Sequence, residues 1–82
     1  MKERFEYYIL NNCLFVYDTS STFIVYWKDN AWHEECNMSI NDFSKAKHIS
    51  EKQALHKTKG HHPEAYIEEL IEQEMLKNIY CP

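Results

Sequence analysis

Residues 5–36 read FEYYILNNCLFVYDTSSTFIVYWKDNAWHEEC, and this stretch decides the fold. It divides into four apolar runs, Phe5 to Leu10, Cys13 to Asp18, Thr22 to Lys28 and Ala31 to Met38, separated by Asn11-Asn12, Thr19-Ser20-Ser21 and Asp29-Asn30. Nine of the twelve aromatic residues lie within residues 1–32. Short runs rich in aromatic and β-branched residues, broken by residues that tolerate positive φ, are the signature of strands joined by tight turns. Asn-Asn and Asp-Asn each suit a two-residue type I′ hairpin, although neither carries the glycine that turn favours most. The expectation is a four-stranded antiparallel meander over about 4–10, 13–18, 22–28 and 31–37.

Register decides what such a sheet buries, because side chains alternate between faces with a period of two. With a three-residue middle loop at Thr19–Ser21, one face carries Tyr8, Leu10, Cys13, Phe15, Tyr17, Phe23, Val25, Trp27, Trp32, Cys36 and Met38. Only Glu6 and Glu34 intrude, so this face is the expected core. Trp27 and Trp32 then sit one pair beyond the Asp29-Asn30 turn, in a non-hydrogen-bonded position where side chains meet closely and pin the hairpin. The other face carries Phe5, Tyr7, Ile9, Leu14, Val16, Ile24 and Tyr26 before it turns polar at Asp18, Thr22, His33 and Glu35. A second apolar face calls either for burial within the monomer or for a partner. A loop one residue longer or shorter would exchange the faces of the third and fourth strands relative to the first two.

Beyond Met38 the apolar period changes from two to about three and a half, and each helix start carries a cap. Ser39 precedes Ile40-Asn41-Asp42, with Met38 and Phe43 placed as a hydrophobic staple, and a helix is expected over about 40–48. Ser50 opens an S-x-x-Q capping box with Gln53, stapled by Ile49 and Ala54, for a second helix over about 51–59. Lys57 and Lys59 suit its negative end and Gly60 supplies the left-handed stop. After the His61-His62 linker, Pro63 and Glu64 suit the start of a longer helix over about 63–79. The predicted fold is α+β, one domain over 1–82, with the helices mainly on the Phe15/Trp27 face. Ile67, Leu70, Ile71 and Met75 form the inner stripe of the last helix. Glu68, Glu69 and Glu72 lie opposite, joined there by Leu76 and Tyr80.

Composition narrows the function classes. Eighty-two residues with 44% hydrophobic content and a formal charge of −4 describe one folded domain, not a disordered tail. No apolar run approaches a membrane helix, the N-terminus lacks an apolar signal region, and the end fails the prenylation pattern. Cys13, Cys36 and Cys81 are an odd, widely spaced set without a disulfide framework, which places the chain in a reducing cytoplasm. Charge runs acidic, basic, acidic: residues 1–39 hold three Lys/Arg against six acids, 40–62 five lysines against two, and 63–82 one lysine against five.

There is no glycine-rich phosphate loop, no G-x-S-x-G and no H-E-x-x-H, and the sequence gives no reason to expect catalysis or a small-molecule substrate. A zinc site from His33, Cys36, His56, His61 and His62 is disfavoured, because strand positions three apart face opposite ways and no second ligand pair completes a tetrahedron. The expected role is that of a small non-enzymatic binding or regulatory module, acting by contact with a protein partner or by homodimerisation. Modulation of host machinery by a phage- or mobile-element-encoded protein is one form of that expected role. Candidate contact residues are Phe5, Tyr7, Ile9, Ile24 and Tyr26 on the second sheet face and Glu68, Glu69, Glu72, Leu76 and Tyr80 on the last helix. The alternatives are a nucleic-acid surface formed by Lys45, His48, Lys52, His56, Lys57 and Lys59, and a small structural-zinc protein.

Overall fold

The computed structural model describes the backbone of residues 3–80 and side chains as far as Lys77. Five antiparallel strands, β1 (Phe5–Leu10), β2 (Cys13–Asp18), β3 (Ile24–Lys28), β4 (Ala31–Glu35) and β5 (Lys47–Ile49), form one sheet in the order β4-β3-β2-β1-β5. A 3-10 turn (Ile40–Phe43) lies between β4 and β5, and two helices follow, α1 (Glu51–Lys57) and α2 (Glu64–Tyr80). The α+β class and the four-strand meander agree with the sequence reading; the fifth strand does not.

Both predicted hairpins have the backbone of type I′ turns, with positive φ at Asn11 and Asn12 (53° and 62°) and at Asp29 and Asn30 (54° and 61°). Trp27 pairs with Trp32 across the second turn, their rings 5.0 Å apart and edge-on at 68°. The middle connection is where the register departs from expectation. Val16 pairs with Val25 and Phe15 with Tyr26, so the loop between Asp18 and Phe23 spans four residues, Thr19 to Thr22. Thr22 is drawn into the loop at φ 66°, an unusual conformation for a β-branched residue.

The cause is Asp18, whose side chain is fully buried. Its Oδ1 accepts from Ser20 N at 2.9 Å and from Arg4 Nε at 3.1 Å, while Oδ2 accepts from Ser21 Oγ at 2.8 Å and Arg4 Nη2 at 3.0 Å. Thr22 N–H closes the turn onto Asp18 O at 2.8 Å. A buried carboxylate left without these donors would be strongly destabilising, so satisfying Asp18 outweighs the strain at Thr22.

The extra residue exchanges the faces of β3 and β4. Trp27, Val25 and Trp32 join Phe5, Tyr7, Leu14 and Val16 on the inner face, where Ile49, Ala54 of α1 and Ile67 of α2 complete the core. The expectation that the helices cover a shared Phe15/Trp27 face is therefore corrected, since Phe15 lies on the outer face and the helices pack on the Trp27 side.

The expected helix over 40–48 is the second correction. Asp42 Oδ2 accepts from Ser39 N–H at 2.8 Å, so the predicted start is real, but only one 3-10 turn follows. Lys47-His48-Ile49 then pairs with β1, Tyr7 against Ile49 and Ile9 against Lys47. That pairing satisfies an otherwise open sheet edge and buries Ile49, a gain no short polar helix offers. Because β5 lies at the far edge from β4, residues 36–46 cross the outer face of the sheet. Phe43 is pressed there between Tyr8 (5.1 Å, stacked at 10°) and Phe15 (5.3 Å).

α1 starts as read from the sequence: Ser50 Oγ accepts from Gln53 N at 3.2 Å and Gln53 Oε1 from Ser50 N at 3.0 Å. It ends with Lys59 at φ 56° and Gly60 at φ 86°, with Gly60 N–H bonded to Leu55 O at 2.8 Å. The left-handed stop thus falls on Lys59 as well as on the glycine. α2 begins one residue after Pro63, whose carbonyl accepts from Ile67 N at 3.0 Å.

Candidate functional site

The register shift divides the proposed second apolar face in two. Phe5 and Tyr7 are buried in the inner core and Ile9 is half-buried at its margin, while Ile24 and Tyr26 belong to the outer face. Ile24 is itself 3% exposed, and Tyr26 is half-buried with its ring stacked on His33 at 5.2 Å. What remains open on the outer face is a half-buried set on either side of the crossing segment, including Tyr17 and Leu10. The helices cover the inner face, and residues 36–46 cover only part of the outer one. Burial of Tyr7 pushes its phenol up to about 12, and burial together with the Glu6 carboxylate does the same for Tyr8.

α2 is the element that the fold leaves incompletely covered. Its first half and the His61-His62 linker before it are anchored at four points. His62 Nδ1 accepts from Glu64 N at 3.1 Å, and its Nε2 donates to Glu51 Oε1 at 3.0 Å, tying the start of α2 to the start of α1. That pattern requires the neutral Nε2–H tautomer. His61 stacks on Trp27 at 5.6 Å. Ile67 is fully buried, and Glu68 accepts from Arg4 Nη1 at 2.7 Å. Arg4 therefore bridges Asp18 in the loop to Glu68 on the helix, its pKa raised by those two hydrogen bonds. Burial alone would raise the Asp18 pKa, but Arg4, Ser21 and Ser20 together hold it below the usual carboxylate range.

Leu70 and Ile71 still pack against the core, half-buried, and there the support ends. Glu72, Gln73, Glu74, Met75, Leu76 and Lys77 are all exposed. Six consecutive residues span more than the 3.6 of one turn, so no face of this part of the helix rests on the body. Met75 is 61% and Leu76 46% exposed, which corrects the expectation that Met75 belongs to the inner stripe. The stripe stops at Ile71. Glu69 and Glu72 are exposed as expected, and the Tyr80 side chain lies outside the described residues.

The candidate lysines and histidines of the middle segment are exposed but not aligned. Lys45 lies between the 3-10 turn and β5, and His48 is on the edge strand with its ring against Tyr8 at 5.2 Å. Lys52, His56 and Lys57 are on α1, and Lys59 follows it. β5 and the Ser50 cap break the helical stripe that an unbroken helix would have formed. Among the described residues Lys52, Gln53, Leu55, His56 and Lys57 of α1 line one wall of a shallow groove.

His33 bonds the Lys28 carbonyl at 3.0 Å through Nε2, and the exposed Cys36 lies past the end of β4 with its thiol pushed up by the neighbouring Glu34 carboxylate. Among the described residues no group of three or more His, Cys, Asp or Glu is placed to hold a metal ion, and no helix is long and apolar enough to cross a membrane. Two structural links around α2 escaped the sequence reading. One is His62 as the joint between the helices, which looked like linker. The other is Arg4 as the link between loop and α2, for which a buried Asp18 was the missing clue. Comparison with protein-family models, curated proteins and solved structures found no match to this chain.

Proposed function

We propose that this protein is a small binding or regulatory module that acts by protein contact, with the projecting part of α2 as its docking element. One observation carries the reading: six consecutive exposed residues, with Met75 and Leu76 among Glu72 and Glu74, on a helix whose other half is firmly anchored. A rigid root and an uncovered tip suit a helix that lies in a partner's groove, apolar anchors giving affinity and carboxylates steering encounter with a basic surface. Each anchor contributes about 1.5–3 kcal/mol on full burial. The reading gives no role to catalysis.

The test is the double substitution Met75→Asp with Leu76→Asp. Circular dichroism and melting temperature are expected to match the wild type, while cross-linked or co-purifying complexes disappear. Complexes that survive the substitution would remove α2 from the role. The rival reading, nucleic-acid binding through Lys45, His48, Lys52, His56, Lys57 and Lys59, is supported by the exposure of all six. It requires a mobility shift that weakens steeply with salt, and no shift at low salt with single- or double-stranded probes would eliminate it.

A further inference from the structure

We infer that the partner is a second copy of this chain: the projecting end of α2 in each copy lies along the α1 groove of the other. This rests on α2 being the docking element. Charge selects the recipient. α2 carries Glu64, Glu68, Glu69, Glu72 and Glu74 against Lys77, so pairing α2 with α2 would set carboxylate against carboxylate. The α1 groove offers the opposite sign, with Lys52 and Lys57 flanking Leu55 and His56. Each copy thus holds both halves of a complementary contact, a tip with apolar anchors among acids and a groove with Leu55 between lysines.

Six consecutive exposed residues leave the tip uncovered in its own chain, and a reciprocal exchange of tips closes as a two-fold dimer.

The experiment uses two charge-reversed chains, Glu72→Lys with Glu74→Lys, and Lys52→Glu with Lys57→Glu, all at exposed positions. Sedimentation equilibrium of the wild type is expected to give twice the 9.9 kDa chain mass, dissociating as salt rises. Either variant alone sets like charges against each other at both contacts and weakens the dimer by about tenfold or more. Mixed in equal amounts the two variants are complementary at both contacts, and the dimer returns. A wild type that stays monomeric at low salt, variants that dimerise alone, or a mixture that does not reassociate would each overturn the inference. If the wild type is monomeric yet captures a different protein that Met75→Asp with Leu76→Asp releases, α2 remains the docking element and only the second copy is excluded.

Discussion

The two halves of α2 stand in opposite circumstances. Between Glu64 and Ile71 the helix has a capped start, a fully buried Ile67 and an ion pair to Arg4; from Glu72 to Lys77 every side chain is exposed. Both halves carry good helix formers, Glu, Ala and Leu in the first and Glu, Gln, Met and Leu in the second. The difference is what lies beneath. The first half packs on the core of the inner sheet face, and the second has no such cover. Tertiary burial therefore decides which apolar residues are core and which are available for contact, where periodicity alone would have placed Met75 with Ile67.

The strongest way to break this comparison is to truncate one apolar residue in each half. Ile67→Ala is expected to destabilise the fold by about 3 kcal/mol through lost burial and a residual cavity, and Met75→Ala by under about 0.5 kcal/mol, both read from urea unfolding. Equal losses would mean that the end of α2 is packed after all. A similar loss is expected at the anchor. Asp18→Asn removes the charge from a buried pair and is expected to cost about 3 kcal/mol, leaving Arg4 bridged only to the exposed Glu68. The folded pKa of Asp18 is lowered from the unfolded value near 3.9, so its contribution is fully present above about pH 4 and is lost as pH falls below it. Stability that does not fall between pH 5 and pH 2, relative to Asp18→Asn, would contradict this account.

The smallest expected effect has the opposite sign. Thr22→Gly relieves a β-branched residue at φ 66° and is expected to stabilise the chain by up to about 1 kcal/mol, less the entropy that glycine adds to the unfolded state. A loss would show that Thr22 contributes more through its side chain than its backbone costs.

Much of this architecture was legible in residues 5–36. Asn11-Asn12 and Asp29-Asn30 announced the two tight hairpins, Trp27 met Trp32 where the turn put them, and Ser50 with Gln53 closed the expected box. Such features depend on neighbours within a few residues, and a linear reading captures them. The loop length at Thr19–Thr22 was not legible, because Thr22 resembles a strand residue and the reason it is not one is the buried Asp18, paired with Arg4 fourteen residues before it. β5 escaped for the same reason: three residues, Lys47 to Ile49, carry no pattern until the free edge of β1 is there to receive them.

The sequence by itself determined the class of the fold, its turns and helix starts, and the separation of its charge into an acidic helix and a basic middle, all of which follow from local backbone preference and residue type. Only the tertiary structure decided which face of each strand is buried and where α2 leaves the body. Those outcomes depend on a one-residue register choice and on how far the core extends beneath the helix, and both are settled by satisfying buried polar groups and covering apolar area across the whole chain.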